Sequence, residues 1–159
     1  MSPDDFTQRF AATHAPIAKF LYRRVDANDV DDLAADIFDI AWRRGAAVTV
    51  GEELPWMYRV ATNIIANYRR KNARAKNFLS ALMAPDTSPS AESIAVADIA
   101  LADAWGRLPA TSRQILALTA IDGLSITQAA QSLDITANAV SVRLNRARQQ
   151  LRVALAETA

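Results

Sequence analysis

The sequence of 159 residues contains no cysteine and only one histidine, His14. The absence of cysteine excludes disulfides, thiolate metal ligands and a cysteine nucleophile, and one histidine cannot form a histidine cluster. Glycine is scarce, and no Gly-rich phosphate-binding loop is present. No window approaches about eighteen uninterrupted apolar residues, and the acidic N-terminal stretch MSPDDFTQRF is unlike a signal peptide. We therefore expect a soluble, cytoplasmic protein with no metal site, no cofactor and no catalytic residues of its own.

The net charge says nothing about partners, because 18 basic residues nearly balance 17 acidic ones, so only the positions of the charges are informative. Apolar residues recur mostly at three- and four-residue spacing, which predicts helices. The stretch APDTSPSAES, Ala84 to Ser93, interrupts that periodicity with prolines and small hydroxyl residues. We predict an all-α chain of two small helical domains, residues 1–77 and 98–159, joined by a flexible linker at residues 78–97.

An acidic helix is predicted in the stretch DANDVDDLAADIFDIAWRR. At 100° per residue its aspartates form one stripe and its aliphatic residues another beside it. The aspartates are Asp29, Asp32, Asp36 and Asp39, and the aliphatic residues are Leu33, Ile37, Ile40 and Ala41. A solvated face, with acids that complement the helix dipole, is one explanation. Phe38 and Trp42 lie off the main apolar stripe, and large aromatics outside the core favour a partner surface instead.

A basic helix is predicted next, in LPWMYRVATNIIANYRRKNARAK, where Pro55 suits the first turn. The predicted buried face comprises Trp56, Met57, Val60, Ala61, Ile64 and Tyr68, and the opposite face comprises Arg59, Thr62, Asn63, Arg69 and Arg70. From Arg59 to Lys76 there are six basic residues and no acid. Such a run is often only a solvated face. With Trp56, Tyr58 and Asn67 beside it, the run also suits stacking on and hydrogen bonding to unpaired bases.

Two helices separated by a tight turn are predicted in the C-terminal part. Gly123 is suited to end the preceding helix, Ser125 to cap a short helix through about Leu133, and Thr136 to cap a longer one. Asp134 in the turn is less suited to left-handed backbone than glycine, although aspartate tolerates it better than most residues. Two helices joined by three or four residues form a helix-turn-helix, which we predict for this domain.

The longer helix has an apolar face and a polar face. Val140, Leu144, Ala147 and Leu151 form the stripe that is predicted to pack inward. The outward residues are Asn138, Val142, Asn145 and Gln149, flanked by Arg143 and Arg146 on one side and by Ser141, Arg148 and Arg152 on the other. In a major groove, amides pair with adenine, arginine pairs with guanine and valine contacts a thymine methyl, while flanking arginines reach phosphates. A structural helix hairpin with a basic surface is the alternative to a DNA-reading helix.

These segments, taken in order, resemble the extracytoplasmic-function (ECF, group 4) sigma factors of the sigma-70 family, which are bacterial RNA polymerase subunits with two helical domains called regions 2 and 4. The motifs are DLAADIF…AW, PWMYRVATNIIANYRR, LPATSRQILAL, DGLSITQAA and ITANAVSVRLNRAR. The resemblance implies a protein that is not an enzyme, binds the beta-prime coiled coil and the beta subunit of core RNA polymerase, and directs promoter recognition and opening. An anti-sigma factor is a further implied partner, and no membrane association is implied.

The resemblance also implies residue roles by position. Core-polymerase binding falls on Asp32, Leu33, Asp36, Phe38, Asp39 and Trp42. Recognition and melting of the minus-10 promoter element fall on Trp56, Tyr58, Arg59, Thr62, Asn63, Asn67, Arg69 and Arg70. Recognition of the minus-35 element falls on Thr136, Asn138, Ser141, Val142, Arg143, Asn145, Arg146, Arg148 and Gln149. Members often have Gln, Gly and a basic residue where this chain has Ala35, Asp134 and Ser141.

Two other functions remain open on the sequence. A free-standing helix-turn-helix regulator would use its N-terminal domain to sense a ligand or to dimerise, and it would bind specific duplex DNA tightly without polymerase. A helical adaptor would use the same basic faces to contact acidic proteins.

Overall fold

The structure, a computed structural model, describes residues 1–76, 86–94 and 98–158. Across these ranges the chain consists of helices and the turns between them, with no β-strand, which confirms the all-α prediction. Within the same ranges no helix is long and apolar enough to span a membrane.

The chain divides into two compact units, Met1–Pro85 with Gln131–Asp134 and Asp86–Ala130 with Ile135–Ala159. The helices of the first unit are α1 (Pro3–Phe10), α2 (His14–Tyr22), α3 (Val30–Arg44) and α4 (Glu53–Lys76), with 3-10 turns at Ala11–Thr13, Ala27–Asp29 and Gly45–Ala47. A capping box starts α1, because the Asp5 amide donates to the Ser2 hydroxyl and the Ser2 amide donates to the Asp5 carboxylate, each at 3.2 Å.

Side chains from all four helices fill the core of the first unit. Those with at most 1% of their surface exposed include Phe10, Ile17, Phe20, Leu21, Ile37, Ala41, Met57, Ala61 and Ile65. Gly45 lets this core close beyond the end of α3, because a Cβ atom on it would lie 2.7 Å from the Phe10 ring. A larger residue at this position would displace the ring from a close-packed interior.

The second unit is organised around its longest described helix. Its helices are α5 (Ala91–Ile94), α6 (Ile99–Arg107), α7 (Ala110–Leu116), α8 (Ile126–Leu133, of which residues 126–130 belong to this unit) and α9 (Ala137–Thr158), with a π-helical turn at Ala117–Ile121. The helix α9 packs against α6 and α7. Trp105, Ile115, Val140 and Leu144 are buried in this contact region. One inward face of α9 is thereby committed to the core, and the opposite face is left to solvent.

The predicted linker is wrong for residues 86–94, which belong to the second unit. Thr87, Ser88 and Pro89 are buried, and Ala91–Ile94 is helical. The stretch lacks apolar periodicity, a pattern that is typical of linkers. It packs nevertheless, because the indole of Trp105 and the guanidinium of Arg113 satisfy its polar groups. The remaining linker residues, 78–85 and 95–97, lie outside the described residues.

Candidate nucleic-acid and partner interfaces

The helix α3 presents an exposed row of carboxylates, Asp32, Asp36 and Asp39, which we call the acidic stripe. Ile37 and Ala41, on the core side of the same helix, are fully buried. Asp39 forms an exposed ion pair with Arg43 one turn later. The predicted division of this helix into an acidic face and a core face is therefore confirmed, although Leu33 and Ile40 are only half-buried.

Two aromatic residues flank the acidic stripe. Phe38 is half-buried, and its ring centroid lies 5.5 Å from that of His14. Trp42 keeps 44% of its surface exposed, although its ring meets Phe6 edge-on at 5.3 Å. Both rings lie outside the central core, as predicted, and together with the carboxylates they form a mixed aromatic and acidic surface.

The core face of α4 differs from the predicted one. Met57, Tyr58, Ala61 and Ile65 are buried, whereas the predicted face residues Trp56, Val60, Ile64 and Tyr68 are only half-buried. The apolar side chains of α4 cover a broad arc, so their periodicity alone does not fix which residues lie at its centre. Packing against α2 decides it, because this neighbour presents its large aromatic ring opposite Tyr58.

The expectation that Tyr58 is an outward stacking residue is wrong for this structure. Only 5% of its surface is exposed, and its ring centroid lies 5.0 Å from that of Phe20. Such a ring pair adds packing energy to an already buried side chain. Trp56 is half-buried, with its ring centroid 6.4 Å from that of Phe10, and it is the more accessible of the two proposed stacking residues.

The outward side of α4 carries a polar row of Arg59, Asn63 and Asn67, all exposed and four positions apart. The row covers about 12 Å along the helix at 1.5 Å per residue. Asn67 accepts a hydrogen bond from the half-buried Arg70 at 2.9 Å. Thr62 lies beside the row and is half-buried. Its hydroxyl donates to the Tyr58 carbonyl oxygen at 2.8 Å. The row can offer both a charge and amide hydrogen bonds to a ligand.

Arg69 and Tyr68 hold the loop between α2 and α3. The guanidinium of Arg69 donates to the Arg24 carbonyl oxygen at 2.9 Å, and the Tyr68 hydroxyl donates to the Asp29 carboxylate at 2.7 Å. Burial and the bond to Asp29 raise the pKa of Tyr68. Arg69 is half-buried in this arrangement. Arg69, one of the predicted minus-10 residues, therefore makes a structural contact within the first unit.

A second cluster, absent from the sequence reasoning, fixes the turn between α3 and α4. Arg9 donates to the carbonyl oxygens of Gly45 (3.3 Å) and Val48 (2.6 Å) and to the Glu53 carboxylate (3.0 Å). Glu53 also accepts from the Gly51 amide at 2.8 Å. Burial alone would raise the pKa of Glu53, but its backbone bonds and Arg9 outweigh burial and lower it. No local signal finds this cluster, since Arg9 and Glu53 are 44 positions apart.

The residues that begin α8 and those that join it to α9 have the predicted local chemistry. The Gln128 amide donates to the Ser125 hydroxyl, and the Ala139 amide donates to the Thr136 hydroxyl, each at 3.1 Å. Gly123 and Asp134 adopt left-handed backbone with φ of 75° and 56°. Both predicted caps and the left-handed turn at an aspartate are confirmed.

The helix α9 has the predicted division into two faces. Val140, Leu144 and Ala147 are buried with at most 5% of their surface exposed. Between Asn138 and Arg152, the residues exposed on the other side are Asn138, Val142, Arg143, Asn145, Arg146, Arg148, Gln149 and Arg152. Thr136 is exposed just before the helix, and Ser141 is half-buried at the edge of the outward face. The outward face therefore contains amides, arginines and an apolar valine that is 49% exposed, with no acid among them.

Within the described ranges, no three His, Cys, Asp or Glu residues are grouped closely enough to hold a metal ion. Buried side-chain nitrogen and oxygen atoms in those ranges all have hydrogen-bond partners.

Comparison with known proteins shows the family of the chain. Residues 98–151 match the family model "Sigma-70, region 4". The RNA polymerase sigma factor NccH of Alcaligenes xylosoxydans xylosoxydans is 32% identical over 136 residues, which cover 80% of this chain and 73% of that protein. The ECF RNA polymerase sigma factor SigL of Mycobacterium tuberculosis is 28% identical over 138 residues, which cover 83% of this chain and 77% of SigL.

A solved structure of a relative agrees over nearly the whole chain. CnrH, an RNA polymerase sigma factor of Cupriavidus metallidurans, was solved in complex with the cytosolic domain of CnrY. It superposes with a TM-score of 0.68 at 26% identity and covers 99% of this chain and 92% of its own. The chain belongs to the RNA polymerase sigma factors, and its relatives support the extracytoplasmic-function class. It therefore directs transcription initiation as a sigma factor.

Proposed function

We propose that the protein is a group 4 sigma factor in which the first unit binds core RNA polymerase and opens the minus-10 element, while the second unit reads the minus-35 element. On this proposal α8 and α9 are a helix-turn-helix, and the catalytic groups of transcription belong to the polymerase. The protein would act in the cytoplasm with its polymerase. The observation that carries the proposal is the outward face of α9 from Asn138 to Arg152, which is exposed, basic and free of acids, opposite a buried core face.

The central outward residues of α9 are proposed to read bases. From Asn138 to Gln149 the helix rises about 16 Å, close to the length of about five base pairs. Asn145 and Gln149 can each make a bidentate contact with adenine, and Arg146 can do so with guanine, while Val142 meets a thymine methyl. Arginines beside them supply attraction to phosphates that does not depend on sequence.

The polar row of α4 is proposed to hold the non-template strand of the opened minus-10 element. Base flipping costs a few kcal/mol of stacking, so the surface must return hydrogen bonds, charge and stacking. Arg59 offers charge, and the amides of Asn63 and Asn67 offer hydrogen bonds. Trp56, which is half-buried at the start of the helix, is the proposed stacking group.

The acidic stripe, with Leu33, Phe38 and Trp42, is proposed to bind the beta-prime coiled coil of core polymerase, and the second unit to contact the beta subunit. Exposed carboxylates around a partly exposed indole suit a basic partner with an apolar centre. An anti-sigma factor is a further proposed partner. Support for it comes from CnrH, which was solved with the cytosolic domain of CnrY.

Transcription with purified core polymerase on a genomic fragment library, with and without the protein, tests the overall proposal. New start sites that depend on the protein are the expected result. Tight and specific binding to duplex DNA with no polymerase-dependent start sites would instead favour a free-standing regulator. Binding to neither DNA nor polymerase would leave the adaptor function.

Base reading is tested with Asn145→Ala and Arg146→Ala, with Arg152→Ala as the control on the same helix. We expect each of the first two to change preference at single upstream base pairs, at about 1–3 kcal/mol per lost base contact. The control should weaken all promoters alike, as a phosphate contact would. A uniform loss for all three variants contradicts the assignment of Asn145 and Arg146.

Core-polymerase binding is tested by charge reversal of Asp32→Arg together with Asp36→Arg. The control reverses Glu92→Arg and Asp103→Arg, two exposed acids of the second unit, and so makes the same change in net charge. Only the stripe variant should lose co-purification with core polymerase, because opposed charges at an interface repel. Equal losses, or none, would remove the acidic stripe from the model.

A further inference from the structure

Arg9, near the end of α1, joins this helix to the turn that precedes α4. Its Nε donates to the Glu53 carboxylate at 3.0 Å, and its two terminal nitrogens donate to the carbonyl oxygens of Gly45 at 3.3 Å and Val48 at 2.6 Å. We call these four residues the Arg9 cluster. A planar guanidinium makes three such bonds at once because its donors point in fixed directions. The cluster therefore fixes three points of the chain relative to α1.

Glu53 connects the Arg9 cluster to α4, of which it is the first residue. Its other carboxylate oxygen accepts from the Gly51 amide at 2.8 Å, and only 8% of its surface is exposed. A buried carboxylate is costly unless charge and hydrogen bonds compensate for the loss of water, and here Arg9 and the backbone provide both. In the first turn of α4, the Trp56 amide donates to the Glu52 carbonyl oxygen at 3.2 Å. The place of Trp56 thus depends on how Glu53 is held.

Phe10, next to Arg9 in the chain, makes a second link from α1 to Trp56. The centroids of the two rings lie 6.4 Å apart at an interplanar angle of 65°, an edge-on arrangement. The guanidinium carbon of Arg9 lies 5.5 Å from the centroid of the Phe10 ring. Gly45 lies against the same ring, because a Cβ atom on it would be 2.7 Å away. A displaced Arg9 would therefore disturb the ring against which Trp56 packs.

We propose that Arg9 is a positioning residue for Trp56, acting through Glu53 on the start of α4 and through Phe10 on the ring that the indole contacts. Its role is to hold the indole where an unpaired base can stack on it, before DNA binds. Such pre-organisation matters because a stacking group that is ordered only on binding returns less free energy to an extruded base. The inference rests on the proposed role of Trp56 in opening the minus-10 element.

Fluorine NMR of the full-length protein labelled with fluorotryptophan tests the positioning without DNA or polymerase. The chain has three tryptophans, and each resonance is assigned by replacing one of them with phenylalanine. In Arg9→Gln the Trp56 resonance should move, while the Trp105 resonance of the second unit should stay in place. Lys19→Gln, which removes one exposed charge from α2, is the matched control and should leave all three resonances unchanged. A wild-type Trp56 resonance in Arg9→Gln overturns the proposal.

Arg9→Lys separates the geometry of the Arg9 cluster from its charge. Lysine keeps a positive charge near Glu53, but one ammonium does not reproduce the three directed bonds of the guanidinium. The Trp56 resonance should therefore be displaced in Arg9→Lys as well. If it instead keeps its wild-type position, charge alone is sufficient, and the three-bond geometry on which the proposal rests is wrong.

Promoter opening with core polymerase gives the functional readout. Arg9→Gln should slow opening of a duplex promoter roughly five- to a hundredfold, the value of one stacked base, and should affect a pre-melted promoter much less. Ile65→Val, about 18 Å along α4 from Glu53, lowers the stability of the same unit and should affect both templates alike. If Arg9→Gln displaces the Trp56 resonance yet opens duplex promoters at the wild-type rate, then the Arg9 cluster does not serve opening and the proposal is overturned.

Trp56→Ala distinguishes a failure of this inference from a failure of the proposed function. If Trp56 stacks on a base, then this variant should slow duplex opening at least as much as Arg9→Gln does. A wild-type rate in Trp56→Ala would show that the proposed stacking role is wrong. The fluorine resonances, which are recorded without DNA, would still decide whether Arg9 positions Trp56.

Discussion

Replacing Tyr58 with alanine is expected to destabilise the first unit by about 3–5 kcal/mol, the usual cost of truncating a buried aromatic side chain. The ring is 5% exposed and lies 5.0 Å from that of Phe20, so the variant loses both burial and a ring pair. That loss is a large share of the stability of a small domain. Asn63→Ala, on the exposed side of the same helix, should stay within about 0.5 kcal/mol of the wild-type value.

Both differences are measured by urea denaturation, monitored by circular dichroism, as shifts in the midpoint of the unfolding curve at an unchanged slope. If Tyr58→Ala unfolds at the wild-type midpoint, then its ring is not part of the core and the packing argument fails. Tyr58→Leu separates packing from stacking, because leucine restores apolar volume without an aromatic face.

Promoter opening completes the test. A folded Tyr58→Leu variant should open a duplex promoter nearly as well as the wild-type protein, because its proposed role is packing. Asn63→Ala should impair opening of a duplex promoter much more than use of a pre-melted one. If instead Tyr58→Leu is stable yet fails only on duplex templates, then Tyr58 leaves the core to stack on a base during melting.

Three further outcomes are expected. Gly45→Ala should cost about 1–3 kcal/mol in urea denaturation, because its new Cβ would lie 2.7 Å from the Phe10 ring; an unaltered midpoint would show that the ring moves aside freely. Thr136→Ala should cost about 0.5–2 kcal/mol by removing the cap of α9, whereas Thr136→Ser should cost much less. The pKa values of Glu53 and Asp86 are lowered in the folded protein. Their contribution to the free energy of unfolding should therefore be complete above about pH 5 and be lost as the pH falls below the ordinary carboxyl range near 4. Glu53→Gln should flatten that loss in denaturation series from pH 7 to pH 3, and an equally steep loss would exclude Glu53 as a source.

The local features of the second unit could be predicted because their causes lie within a few residues. The caps at Ser125 and Thr136 join each hydroxyl to an amide three positions later, and the left-handed turn at Asp134 is a property of one residue. The narrow apolar stripe of α9 likewise allows a single orientation, so its outward face follows from helical periodicity.

The sequence by itself determined the helical class, the bounds of α8, the start of α9, and the polar faces of α3 and α9, because these depend on residue type and spacing along one helix. Tertiary structure alone decided that Tyr58 is buried beside Phe20, since the broad apolar arc of α4 allows more than one orientation. It also decided the Arg9 cluster and the packing of Asp86 against Arg113, whose partners are 44 and 27 positions apart. Such contacts form only when the whole unit packs, and no local pattern in the chain encodes them.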